Sequence, residues 1–124
     1  MNKKRPVNLN LMTIQFPITA IISILHRLSG VLLFLAIPLL LWMFQRSLQS
    51  AYDFHQLRAL LQTPLVSIFL WFLLSALFYH LLAGIRHLVM DTGVGDSLAH
   101  GRLGAKIVLA LAIIMAIMIG VWLW

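Results

Sequence analysis

Three long apolar runs organise this chain. Leu28–Phe44 holds no charged residue, Leu65–Ile85 is uncharged apart from any charge on His80, and Ile107–Trp124 is uncharged to its last residue. A helix that crosses a bilayer needs about 20 consecutive apolar residues at 1.5 Å rise each. The second run meets that length outright and the third lies at its short end. The first meets it when its helix begins within Pro17–Ser23. The pattern therefore predicts an all-α, integral membrane bundle of three transmembrane helices, in one domain covering residues 1–124. An arm over residues 1–20 is followed by helices at about 21–46, 64–91 and 104–124. Pro6 and Pro17 break any long helix in the arm, and Phe16-Pro17-Ile18 is expected along the membrane surface or against a partner. Pro38 predicts a kink in the first helix, tolerable where neighbouring helices relieve the freed carbonyl. Pro64 suits the first turn of the second helix, and Thr92-Gly93-Val94-Gly95-Asp96 reads as a turn. The connection Ser47–Thr63 contains Tyr52, Asp53, His55 and Arg58 and has room for a short surface helix.

Composition supports the membrane reading. The chain has 124 residues, enough for one small domain, and is 62% hydrophobic and 10% charged, too apolar for a soluble domain of that size to hide. A net charge of +6 invites a nucleic-acid partner, but the basic residues sit at the ends of the apolar runs rather than on one soluble face, so that partner is rejected. They give orientation instead. With the N-terminus in the cytoplasm, Lys3, Lys4, Arg5, Arg27, Arg86, Arg102 and Lys106 lie inside and Arg46 and Arg58 outside, seven against two, a positive-inside bias. The C-terminus then lies outside, with Trp122 and Trp124 at the interface. Lys3-Lys4-Arg5 looks like the start of a signal peptide, but a long mixed segment follows and no small-residue cleavage site is seen, so none is expected. The chain has no cysteine, which excludes a disulfide framework, a thiolate metal site and covalently attached haem.

The chemistry concentrates in His80–Gly93. An imidazole in hydrocarbon is costly unless something engages it, and His80 lies well inside its run. The alternatives are a hydrogen-bonded structural histidine and a metal ligand, with haem iron the leading metal. His80, Gly84 and His87 are spaced i, i+4, i+7 and share one helix face. Gly84 either lets a flat group approach beside His80 or serves helix packing. On the first helix Ser23, Arg27 and Gly30 share a face, with His26 adjacent to Arg27. Arg27 and His26 suit the carboxylates of a cofactor held between the helices, and Ser23 with Arg27 suits a small carbonyl ligand at the interface. For Arg27 the plainer alternative is snorkelling to the interface. Arg86 and Asp91 are expected to serve topology and local pairing. His80 and His87 share a face and cannot sandwich one iron, His26 is expected nearer the surface than His80, and His55 and His100 fall in connections. One chain then offers one convincing ligand, which points to a hetero-oligomer with the second histidine on a partner.

Two motifs carry a resemblance. Arg5-Pro6-Val7 leads through Leu11 and Ile18 to Ser23-Ile24-Leu25-His26-Arg27-Leu28-Ser29-Gly30, and His80 leads through Gly84-Ile85-Arg86-His87 to Met90-Asp91-Thr92-Gly93. In order, spacing and three-span layout the chain resembles the cytochrome b membrane-anchor subunits of bacterial succinate dehydrogenase, complex II, over essentially its whole length. The resemblance implies that His80 is an axial ligand of haem b, the other ligand coming from a second small hydrophobic anchor subunit. It implies that His26 and Arg27 lie near the haem propionates and His87 near the haem edge. Ser23 and Arg27 would line the ubiquinone site beside the iron–sulfur subunit, which the flavoprotein subunit feeds with electrons from succinate. It places the chain in the bacterial inner membrane, N-terminus cytoplasmic and C-terminus periplasmic, within a larger helix bundle. The alternatives are an anchor of a quinol:fumarate reductase, a haem-free structural anchor, and a small transporter or channel subunit. The uncharged third run and the one-sided polar groups disfavour the last.

Overall fold

The structure is a computed structural model that describes residues 10, 13–95 and 97–124. Lys3, Lys4, Arg5, Pro6, Val7 and Leu11 of the expected arm, and Asp96 of the expected turn, lie outside the described residues. The described residues form four helices and no strand: α1 (Ile18–Gln49), α2 (Ala51–Leu61), α3 (Pro64–Asp91) and α4 (Leu98–Leu123). Helices α1, α3 and α4 are long and apolar enough to cross a membrane. Their 32, 28 and 26 residues correspond to roughly 48, 42 and 39 Å of helix, against roughly 30 Å of hydrocarbon.

The helix limits follow from local chemistry. Helix α1 starts at Ile18, about a turn before the expected position, after an extended Pro17, and it continues through Pro38. Ser50 ends it in an extended conformation and caps α2. The Ser50 hydroxyl accepts the Asp53 backbone N–H at 3.0 Å and donates to Asp53 Oδ2 at 2.6 Å. Asp53 Oδ1 also meets Arg46 Nη1 at 3.0 Å, an exposed pair that orients α2 more than it stabilises it. Helix α3 starts on Pro64, where the missing N–H costs no hydrogen bond. It ends before a turn in which Gly93 and Gly95 adopt φ of 80° and 81°, conformations open to glycine. Helix α4 begins at Leu98, earlier than expected, because Ser97 caps it by accepting the His100 N–H at 3.3 Å.

Helix α3 packs against both α1 and α4. Half of the buried side chains among the described residues are small, Ala36, Ala83, Ala105, Ser29 and Ser67, beside the larger Leu73, Val108, Ile119 and Arg86 and the fully buried Ile22. Small residues let helix backbones approach where no water drives association. The large apolar side chains point outward, with Phe34 69% and Val121 79% exposed. That is the inverse of a soluble core and calls for lipid or protein cover. Ile22, Ala83, Ala105 and Val108 form the core cluster, with Tyr79 and Leu82 packed on it. These residues belong to the first turns of α1 and α4 and the last turns of α3, so the three spans are held most tightly at the end where α1 begins.

Ala105 has no exposed surface. Ala105→Leu should therefore overpack this junction and lower stability by about 1–3 kcal/mol. Thermal unfolding in detergent checks this, and an unchanged midpoint would contradict the packing.

Candidate functional site

The same end of the bundle gathers the histidines. His26 of α1 and His80 of α3 stack with ring centroids 4.2 Å apart and planes inclined by 17°. His87, two turns along α3, tilts against His26 at 5.1 Å. His26, expected nearer the surface than His80, is thus in ring contact with it. With Ile18 as its first residue His26 lies 26 − 18 = 8 residues inside the helix, and His80 lies 91 − 80 = 11 residues from the end of the antiparallel α3. Three residues of difference amount to roughly 4.5 Å of rise, which a modest tilt absorbs.

Two glycines make the contact possible, each facing the other helix's imidazole. A Cβ on Gly30 would sit 3.1 Å from His80 Cε1, and one on Gly84 would sit 3.4 Å from His26 Nε2. Gly84, read as space for a flat group beside His80 or as a packing position, here lies against His26. Gly30 is the glycine beside His80.

His80 is also hydrogen-bonded. Its Nδ1 lies 3.0 Å from Ser29 Oγ and 3.1 Å from the His26 carbonyl oxygen. The Ser29 hydroxyl donates to that same carbonyl at 2.8 Å. The neighbouring Tyr79 hydroxyl donates to the Ile22 carbonyl at 2.7 Å, tying α3 to α1 next to Ser23. Below His80, away from the end where α1 begins, an apolar groove of about 400 Å³ runs between α1 and α3, lined by His80, Gly30, Leu33, Leu73, Leu74 and Leu77.

The charged residues divide. Arg27 is exposed at the surface of α1, while Ser23 and His26 are half-buried. Arg86, expected to serve topology and local pairing, is buried between α3 and α4. Its Nη2 donates to the Gly101 carbonyl at 3.1 Å, and its buried Nε has no hydrogen-bond partner among the described residues. Asp91 is exposed. Among the described residues no three His, Cys, Asp or Glu side chains form a cluster able to hold a bare metal ion. Of the predicted residues the fold brings His26, His80 and His87 together and leaves Arg27 beside them on the outer face of α1. Ser29 and Tyr79 belong to the site although reasoning from residue types alone gave neither its place there, while Gly30, expected on the face of Ser23 and Arg27, lies against His80. A serine three residues after His26, inside an apolar run, is the signal for Ser29, since a polar group at that depth seeks a partner.

A bundle of three helices long and apolar enough to cross a membrane, with an imidazole cluster between two of them and an apolar groove beneath it, fits a multi-pass membrane protein. Residues 1–119 match the family model described as succinate dehydrogenase/fumarate reductase transmembrane subunit. Over the full length of both chains the protein is 45% identical to a succinate dehydrogenase cytochrome b556 subunit of Coxiella burnetii. It is 31% identical to one from Paracoccus denitrificans, with 92% of this chain and 88% of the relative covered. It is 35% identical to a succinate dehydrogenase cytochrome b560 subunit of Reclinomonas americana, with 94% and 85% covered. The chain belongs to the succinate dehydrogenase/fumarate reductase transmembrane subunit family.

Two substitutions test the site's geometry by size of effect. Tyr79→Phe removes one interhelical hydrogen bond and should cost about 0.6 kcal/mol. Gly30→Val drives a side chain into the His80 ring and should cost about 1–3 kcal/mol. Thermal unfolding of the two variants side by side should show Gly30→Val as the weaker protein; the reverse order would refute the described contact.

Proposed function

We propose that this chain is the cytochrome b anchor of a bacterial succinate dehydrogenase, contributing one axial ligand to haem b and part of the site where ubiquinone is reduced. The observation that carries the reading is His80: an imidazole at membrane depth, held by α1 through Nδ1 and bordering an apolar groove. The residues present fit haem b. Gly30 leaves the His80 ring its space, the groove below is lined almost wholly by aliphatic side chains, and His26, Arg27 and His87 supply polar and cationic groups at the opposite, aqueous end for propionates. Haem b, held by His80 and a histidine of the partner subunit, would supply one-electron transfer there.

The second axial histidine comes from a partner, a second small hydrophobic anchor subunit. Imidazoles stacked 4.2 Å apart turn faces rather than nitrogens toward each other, so His26 and His80 do not ligate one iron from opposite sides. Ser23 and Arg27 bind the ubiquinone headgroup near the iron–sulfur subunit. The flavoprotein oxidises succinate to fumarate, releasing two electrons that reach the quinone through the iron–sulfur subunit. The quinone takes up these two electrons and two protons from the cytoplasmic side. Arg27 and Ser23 orient a quinone carbonyl and stabilise the negative charge that builds on its oxygen before protonation. The end of the bundle where α1 begins faces the cytoplasm, and the C-terminus of α4 faces the periplasm across the inner membrane. The family description covers both directions of the reaction; the relatives' names favour succinate oxidation.

His80→Leu should remove the low-spin b-type haem band from reduced-minus-oxidised spectra of membranes holding the assembled complex. An unchanged band would discard His80 as ligand, and no band in the wild type would leave a haem-free anchor. Arg27→Leu should lower succinate:quinone reductase activity roughly ten- to a hundredfold, the cost of one charge-assisted hydrogen bond. Succinate oxidation with a soluble artificial acceptor should persist; equal loss of both activities would assign Arg27 to assembly.

A further inference from the structure

The hydrogen bonds around His80 set the position of its proton. The His26 carbonyl, 3.1 Å from Nδ1, is an acceptor only. The Ser29 hydroxyl has a single proton, and it goes to that same carbonyl at 2.8 Å. Toward His80 Nδ1, 3.0 Å away, Ser29 Oγ therefore turns a lone pair. Both neighbours of Nδ1 accept, so Nδ1 carries the hydrogen and donates it in a bond shared between them. In the neutral ring the lone pair is then on Nε2, which makes Nε2 the ligating nitrogen. Ser29 is only 7% exposed, so bulk water does not take over its place when the hydroxyl is removed. Gly30 closes the arrangement, because a side chain there would press on Cε1 and Nδ1. A serine bonded to its own helix carbonyl three residues back is common and by itself means little. Here the bond consumes the proton that would otherwise face Nδ1.

We propose that Ser29 is a positioning residue for the haem ligand: by accepting from His80 Nδ1 it fixes the tautomer and raises the electron donation of Nε2 to the iron. The inference rests on the assignment of His80 as ligand made above. A group that ligates iron while donating its other N–H to an acceptor is a more basic ligand. A more basic ligand favours the ferric over the ferrous state and lowers the reduction potential. Loss of Ser29 leaves the His26 carbonyl as the one acceptor, so the ligand stays in place while its donation weakens.

The test is a redox titration of the haem in the assembled four-subunit complex, with haem content and the low-spin electron paramagnetic resonance signal read on the same samples. Ser29→Ala should retain the haem and its low-spin signal and shift its midpoint to a more positive potential. Ser29→Thr keeps the hydroxyl and should restore the wild-type value. Ser29→Cys has nearly the volume of serine and a weaker acceptor; it should shift the midpoint in the same direction as alanine and carries the test where Ser29→Ala does not assemble. A midpoint indifferent to alanine and cysteine at full haem content would overturn the inference while leaving His80 as ligand. A shift in Ser29→Thr as large as that in Ser29→Ala would also overturn it, by making packing the cause. A wild-type complex without haem would overturn the assignment of His80 and this inference together.

Discussion

A polar side chain in hydrocarbon has no water to turn to, and this constraint organises α3. Four of its side chains reach a main-chain carbonyl on one of the other two membrane-length helices. Trp71 Nε1 donates to Ala116 and Arg86 Nη2 to Gly101, both on α4. Tyr79 Oη donates to Ile22 and His80 Nδ1 bonds to His26, both on α1. A helical carbonyl already accepts one bond along its own helix but keeps a second lone pair, so these contacts leave the helices intact. At about 0.6 kcal/mol each four such bonds total a few kcal/mol at most, too little to hold three spans together. Their effect is on register. A slide of α3 by one turn along either neighbour would strand all the donors on that side, so the bonds select one axial alignment among many that pack equally well.

That alignment creates the site. Holding Tyr79 to Ile22 and His80 to His26 brings the α3 imidazole opposite Ser29 and Gly30, and brings Gly84 opposite His26. The glycines are what the register permits: each helix lacks a side chain where the other presents a ring. The tight junction of Ile22, Ala83, Ala105 and Val108 closes the site toward the end where α1 begins. Toward the membrane centre it opens into an apolar groove. Under the proposed function, a flat, largely apolar group with anionic edges would lie along that gradient, its body in the groove and its edges toward Arg27 and His87.

Much of this was legible in the sequence. Hydropathy alone placed three spans, and the lone His80 in an apolar run marked the site. What escaped were features that depend on where a helix starts. The apolar run gives no sign that α1 begins at Ile18, since Pro17 and Thr19 read as part of a mixed arm. Helix α4 begins early because Ser97 caps it, in a segment whose His100, Gly101 and Gly104 suggest a loop; Gly104 tolerates the helix because Arg86 needs its space. Ser29 was visible only as one letter of a motif. Its role depends on which atom its proton goes to, and that is set by the fold.

The exposed surface bears on the partner. Over α1 and α3 the large outward side chains are apolar, and His80 is pinned from the α1 side by Ser29, Gly30 and the His26 carbonyl. If His80 holds a haem as proposed, a second histidine would have to come from elsewhere than the face of α3 that carries His80. His26 is excluded by its stacking, and His87, on the same face of α3 two turns away, is excluded by its depth. His55 on α2 is separated from His80 by more than half the length of α3, and His100 sits in the first turn of α4, bonded to Ser97. Under the proposed assignment the chain is therefore half of a binding site. The apolar faces that stay bare in a single copy are then the surfaces on which a second anchor subunit would deliver its histidine, and folding of the two anchors, haem capture and assembly become one coupled event.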